Sequence, residues 1–197
     1  MKKESHYPTY DVMNEQDHWD DHTQSIVTSR IVHQQQPGFL TEMENQMLQR
    51  ISAHLTSDNR EEIIQFIIDH INQSLSSSIG EGQRKPGVLK GDLLIREGLR
   101  ALDQQAKKQF FMNFILLTEK QQVSLLKEIS QQQTSPGSYW GMIIPADFFK
   151  KLLTLTIEAY SSYPTIWSEM GYGGPAYPRG YVRTQLGQLD PWEAQSQ

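Results

Sequence analysis

Residues 39–55 read FLTEMENQMLQRISAHL, and this stretch decides the fold class. Thr41 stands three residues before Glu44. That is the spacing of a capping box, in which the hydroxyl accepts from the amide three residues on and the carboxylate reaches back to the amide of the cap. Met43, Met47, Ile51 and Leu55 then recur every four residues, which sets them on one face of an amphipathic helix of about four turns.

The same grammar continues outward. Ser57 or Asp58 is expected to cap a second helix whose wide apolar face is Ile63, Ile64, Ile67, Ile68, Ile71 and Leu75. Its β-branched isoleucines carry a weak propensity cost, which the three-and-four spacing outweighs. Serines 74 and 76–78, Gly80, Gly82 and the pair Pro86-Gly87 predict a loop. Leu93, Leu94, Leu99, Leu102 and Ala106 predict a third helix, weakened at Gly98 by about 1 kcal/mol relative to alanine but able there to pass close to a neighbour. Thr118 with Gln121 forms a second capping box ahead of Val123, Leu125, Leu126 and Ile129, and that helix is expected to end before Pro136 and Gly137. Pro145 suits the first position of the last long helix, where a missing N–H costs nothing. Phe149, Leu152, Leu153, Thr156 and Tyr160 give that helix one face, and Phe148, Leu155 and Ile157 widen it, as expected of a central helix. No run alternates with period two between hairpin turns. The fold expected over residues 37–163 is all-α, an irregular bundle of five to six helices.

The flanks differ. Residues 1–36 form a polar arm with Tyr7, Tyr10, Asp11, Trp19, Asp20 and Asp21, closing on Gln34, Gln35 and Gln36, with one short helix expected from Trp19 to His33. Residues 164–197 are dense in Gly, Pro and aromatics and lack a helical period, so the expectation is an extended segment. Such a segment cannot satisfy its own backbone and must lie on its own domain or on a partner. Trp, Tyr and Arg are the side chains that carry most interface energy. The candidate partner-binding strip is Trp167, Glu169, Tyr172, Gly173, Gly174, Tyr177, Arg179, Tyr181 and Arg183, with guanidinium groups alternating with rings and Trp167 and Glu169 as its anchors.

Composition narrows the function. The 197 residues contain no cysteine, which excludes disulfides, Cys-ligated zinc or iron–sulfur sites, covalent c-type haem and a thiolate nucleophile. Eighteen Lys+Arg against 23 Asp+Glu leave a net charge of −5, which argues against a phosphate-backbone binder, so no nucleic-acid partner is expected. Met1-Lys2-Lys3 is followed by Glu4, Ser5, His6 and Tyr7 where a signal peptide needs an apolar run, so the expected location is cytoplasmic, or exported only in complex with a signal-bearing partner. The apolar runs 63–71 and 110–117 are far shorter than the ~20 residues of a membrane span, and no membrane insertion is expected.

Catalytic signatures are missing as well. His18 and His22, spaced i and i+4 beside Asp21, are the one metal-ligand candidate, but the Glu that makes such a pair catalytic is replaced by Trp19. His54 and His70 sit toward the ends of apolar helices, where histidines commonly cap or face water. There is no G-x-S-x-G, no Ser-x-x-Lys set and no P-loop. Gly171, Gly173 and Gly174 run into Pro175 and Pro178, which reads as a tight turn and not a phosphate cradle. No catalytic or cofactor-binding residue is therefore assigned. Read from residues alone, a free-standing cytosolic helical adaptor, or a metal-binding protein using His18 and His22, stays open.

Phe39-Leu40-Thr41-x-x-Glu44, a helix pair ending near Ile68-Asp69, Gly98-Leu99-x-x-Leu102-Asp103, the segment from Phe114 to Ile129, and a terminal helix leading into Tyr163-Pro164 and Gly171-Tyr172-Gly173-Gly174-Pro175 together resemble the gluconate 2-dehydrogenase subunit 3 family over residues 39–183. The resemblance implies a bacterial small subunit without catalytic activity of its own. The partner it implies is a large FAD subunit of the glucose-methanol-choline type that oxidises a sugar or sugar acid, often with a cytochrome as electron acceptor. In such complexes the small subunit supports folding, assembly or export of the flavin subunit. Two departures mark a divergent branch: the missing export signal, and Tyr-Gly-Gly-Pro-Ala-Tyr-Pro-Arg-Gly-Tyr at 172–181 where the family more usually has Tyr-Gly-Gly-Asn leading to a Gly-Trp pair.

Overall fold

The computed structural model describes residues 5–32, 38–77, 84–131, 139–141 and 143–195. Among them the chain forms η1 (Val12–His18), α1 (Asp21–Ile31), α2 (Glu42–Thr56), α3 (Glu61–Ser76), α4 (Gly91–Phe110), η2 (Phe114–Leu116), α5 (Glu119–Ser130), α6 (Pro145–Ser162) and α7 (Pro164–Met170), and no strand. The class is all-α. Seven α-helices and two 3-10 turns exceed the five to six expected, because α7, η1 and η2 are each too short to show a helical period. Gln34–Gln36, Gly80, Gly82, Pro136 and Gly137 lie outside the described residues. The chain divides into two compact units, Gln36–Ala159 and Met1–Gln35 with Tyr160–Gln197.

In the larger unit both capping boxes form. The Glu44 amide donates to Thr41 Oγ1 at 3.3 Å while Glu44 Oε2 accepts from the Thr41 amide at 2.7 Å, and Gln121 answers Thr118 in the same way. The cap expected from Ser57 or Asp58 does not form. Ser57 takes a left-handed conformation that closes α2, and Arg60 precedes α3 without a side-chain cap. Asp58 instead accepts from the Arg60 amide at 3.1 Å and pairs with its guanidinium at 2.6 Å. A charged partner two residues away holds the carboxylate more strongly than a helix amide does.

Apolar burial supplies the main stabilisation, and Leu48, Ile51, Ile63, Ile67, Ile71, Ile95, Leu99, Leu102 and Leu125 lose their whole surface to it. Buried polar side chains then fix how the helices meet, since an unpaired polar group in such a core costs about 1–3 kcal/mol. Asn72 accepts from the Leu40 amide at 2.9 Å and donates to Ile68 O and Asn45 Oδ1, both at 3.0 Å. Asp103 accepts from the Phe114 amide at 2.8 Å, which ties η2 to α4, and pairs with Lys107 at 2.7 Å. Gln122 donates to Phe114 O at 2.9 Å, so its oxygen is the atom that meets His54 Nε2 at 2.7 Å and His54 is the donor there. Arg96 lies over the Phe39 ring, donates to Phe39 O at 2.7 Å and pairs with Glu44 at 3.2 Å, securing the start of α2.

The Phe148 ring of α6 lies directly against Gly98 of α4, and Trp140 stands beside that ring with its centroid at 5.7 Å. The buried residues of α6 are Phe148, Leu152, Leu155, Thr156 and Ala159. The inward face is therefore turned from the expected one, with Phe149 and Leu153 half-buried and Ile157 exposed. A β-carbon at Gly98 would fall inside the ring, and the helix propensity gained with it, about 1 kcal/mol, is smaller than the 1–3 kcal/mol that overpacking typically costs. Gly98→Val should therefore lower the urea midpoint followed by far-UV circular dichroism, and Phe148→Leu in the same chain should restore part of the loss; an unchanged midpoint for Gly98→Val would contradict the close crossing.

Candidate partner interface

The smaller unit brings the two ends of the chain together. Its core is Val12, Trp19, Val27 and Trp167, with Tyr10 and Met13 packed against it. Three of the four come from the arm and one from α7. That helix forms in a stretch without visible period because its ends are well marked: Pro164 occupies its first turn, and Gly171, at φ 74°, closes it. Trp167 is the hub. Its indole N–H donates to Ser161 O at 2.7 Å, Tyr172 meets its face edge-on at 5.6 Å, and the Arg30 guanidinium sits 5.2 Å from its centroid while donating to Ser162 O at 2.8 Å. Burial pulls the Arg30 pKa below its usual value, opposed by Tyr172. Ser168 Oγ accepts from the Val12 amide at 3.0 Å and Ser5 Oγ donates to Glu169 O at 3.2 Å, so the start of η1 and the segment before it are stitched to α7.

Beyond α7 the backbone is held by what it meets. Gly173 leaves room for only the Trp192 side chain, and Gly174, at φ 77°, abuts Trp19 and Val12. Arg179 turns inward, with 7% of its side chain exposed; it donates to Gly173 O, lies 4.4 Å above the Trp192 ring and stands 3.8 Å from Glu15. Burial pulls its pKa down, against the pull of Glu15. Tyr10 donates to Trp192 O at 2.7 Å, and burial, with Glu15 adding to it, pushes the phenol up to about 12. Asp190 accepts from the Val182 and Arg183 amides, each at 2.8 Å, and closes the last loop.

The nine candidate residues thus separate. Trp167, Gly173, Gly174 and Arg179 are internal supports of the unit, and Glu169 is half-buried with its carbonyl engaged by Ser5. Tyr172, Tyr177, Tyr181 and Arg183 face outward, Tyr177 at 68% and Tyr181 at 60% exposure, with the Arg183 guanidinium 5.2 Å from the Tyr181 centroid. The expected alternation of guanidinium and ring survives only in this second pair. Sequence reasoning missed the role of Trp192, the exposure of Met170, Val182, Leu186 and Leu189 in the same unit, and, in the larger unit, Phe111. Phe111 ends α4 in a left-handed conformation with its ring 91% exposed. Nothing in its type signals that exposure.

His18 and His22 fall in different elements, because Asp20 caps α1 after η1 has ended, so the i,i+4 face that would pair them does not exist. His18 lies 3.7 Å from Glu15, and no group of three or more potential metal ligands occurs among the described residues. No helix among them is long and apolar enough to cross a membrane.

Residues 43–174, about two thirds of the chain, match the gluconate 2-dehydrogenase subunit 3 family, and the chain belongs to that family. No curated protein and no solved structure matches it.

The Tyr10 contact gives the unit a pH signature. A phenol bound at about 12 when folded and at 10.0 when unfolded contributes its full stability below pH 10 and loses it as the pH climbs toward 12. Tryptophan fluorescence in urea should show the unit weakening across that window, and Tyr10→Phe should make the decline shallower; identical slopes for the two proteins would place the phenol in water.

Proposed function

We propose that this member of the gluconate 2-dehydrogenase subunit 3 family is the non-catalytic small subunit of an FAD-dependent dehydrogenase of the glucose-methanol-choline type, acting on a sugar or sugar acid, with a cytochrome as the onward electron acceptor. Its work is to support folding, assembly or export of the flavin subunit. The observation that carries the reading is the exposed aromatic group at Tyr172, Tyr177 and Tyr181 on a segment whose buried residues already fix its shape. Aromatic side chains on a frame that is already built cost less entropy when they are covered, which is how interface anchors work. Arg183 adds a charge at the rim: it is held 3.8 Å from Glu193 and remains half open to solvent.

The flavin belongs to the partner in this reading. Gly171, Gly173 and Gly174 pack against Tyr7, Trp192 and Trp19, so the glycine cluster serves the fold of the segment and offers no cradle to a dinucleotide. The residues that support the surface and those that would touch the partner are distinct, and their substitutions should separate.

Expressed together with a flavoprotein dehydrogenase encoded beside it, the chain should co-purify as a stable complex. Tyr177→Ser with Tyr181→Ser should weaken that complex at least tenfold with the circular dichroism spectrum unchanged, whereas Trp167→Ala should lose the unit's near-ultraviolet signal. A flavin subunit that folds and turns over normally without this chain would overturn the proposal.

A further inference from the structure

In the larger unit the segment after Arg84 and the first turns of α4 and α6 line a hollow of about 290 Å³. Arg84, Lys85, Lys150 and Lys151 bring four cations to its wall, and among the described residues Asp147 is the one carboxylate there. The chain as a whole carries more acid than base, so this gathering runs against its average charge. It follows from packing: Phe148 and Leu152 take the buried side of α6, which turns Lys150, Lys151 and Thr154 outward, while Gly91 and Leu94 of α4 are buried beneath. Val88, Leu89 and Leu94 supply an apolar lining between the charges. The positive end of the α4 dipole adds to the field of the side chains.

We propose that this hollow binds a small organic anion, a carboxylate or phosphate ester carrying a short apolar body. Lys85, Lys150 and Lys151, two positive charges in excess of Asp147, recognise the anionic head, and the volume of about 290 Å³ lies just under the 300–1,000 Å³ common to ligand sites. The apolar wall accounts for the body: an inorganic ion would leave it wetted, and a neutral alkyl compound would leave the mutual repulsion of the three lysines unrelieved. The site is independent of the partner surface, and its failure would leave that reading untouched.

The test uses the full chain and hexyl phosphate, followed by amide shifts of Gly91 and Leu94 in nitrogen-15 NMR. Saturable binding is expected, at least tenfold weaker for inorganic phosphate and undetectable for hexyl glucoside, with hexanoate distinguishing a carboxylate from a phosphate preference. Lys150→Gln with Lys151→Gln should weaken it tenfold or more at an unchanged unfolding midpoint, while Lys120→Gln with Lys127→Gln on α5 should not. Shifts that never saturate, equal losses in the two double variants, or glucoside binding as tight as hexyl phosphate would each overturn the site.

Discussion

Trp167 is the residue on which the smaller unit depends. Among the described residues it is the member from beyond α6 in the buried cluster that it forms with the arm's Val12, Trp19 and Val27. Around it the chain must join two segments separated by more than a hundred residues of sequence. Loop-closure entropy grows only slowly with length, so the closure is affordable if the contact is dense. It is: the Trp167 indole N–H, the Arg30 guanidinium and the Val12 amide are each hydrogen-bonded within one small cluster.

A glycine- and proline-rich tail has little internal hydrogen bonding to offer, and here it borrows order instead. Asp190 collects two amides, Tyr10 reaches the Trp192 carbonyl, and Arg179 spans Gly173 and the Trp192 ring. The outward tyrosines are then presented on a frame that their own contacts do not have to build. In the larger unit the same logic operates through Asn72, Asp103 and Gln122, each of which satisfies backbone groups at a break between helices. Helix faces there are generic isoleucine and leucine; the polar pins choose one arrangement among those that would bury them.

What could be read from the sequence was local. Both capping boxes, Pro145 at the head of α6 and the close crossing at Gly98 follow from side chains within a few residues or from a glycine that packing requires. Family membership was legible too, through residues spread along the body. The rest was not, for identifiable reasons. α7 has only Ile166 and Trp167 buried beside Pro164, too few for a period to emerge, although Pro164 and Gly171 do mark its ends. The pairing of arm and tail joins residues more than 150 positions apart, as in Val12 with Ser168, and a single sequence holds no record of such contacts. Arg179 and Arg183 look alike in sequence, and it is the distant Trp192 ring and Glu15 that hold Arg179 inward while Arg183 lies by Tyr181. The metal reading of His18 and His22 assumed one continuous helix, which the Asp20 cap interrupts.

The contacts about Trp167 should make arm and tail one cooperative unit. Hydrogen exchange by mass spectrometry on a variant altered only in the arm, Trp19→Ala, tests it most directly. Peptides from residues 10–31 and from residues 164–194 should lose protection together and to a similar degree. Loss confined to the arm peptides, with the C-terminal segment as protected as in the unaltered chain, would contradict it.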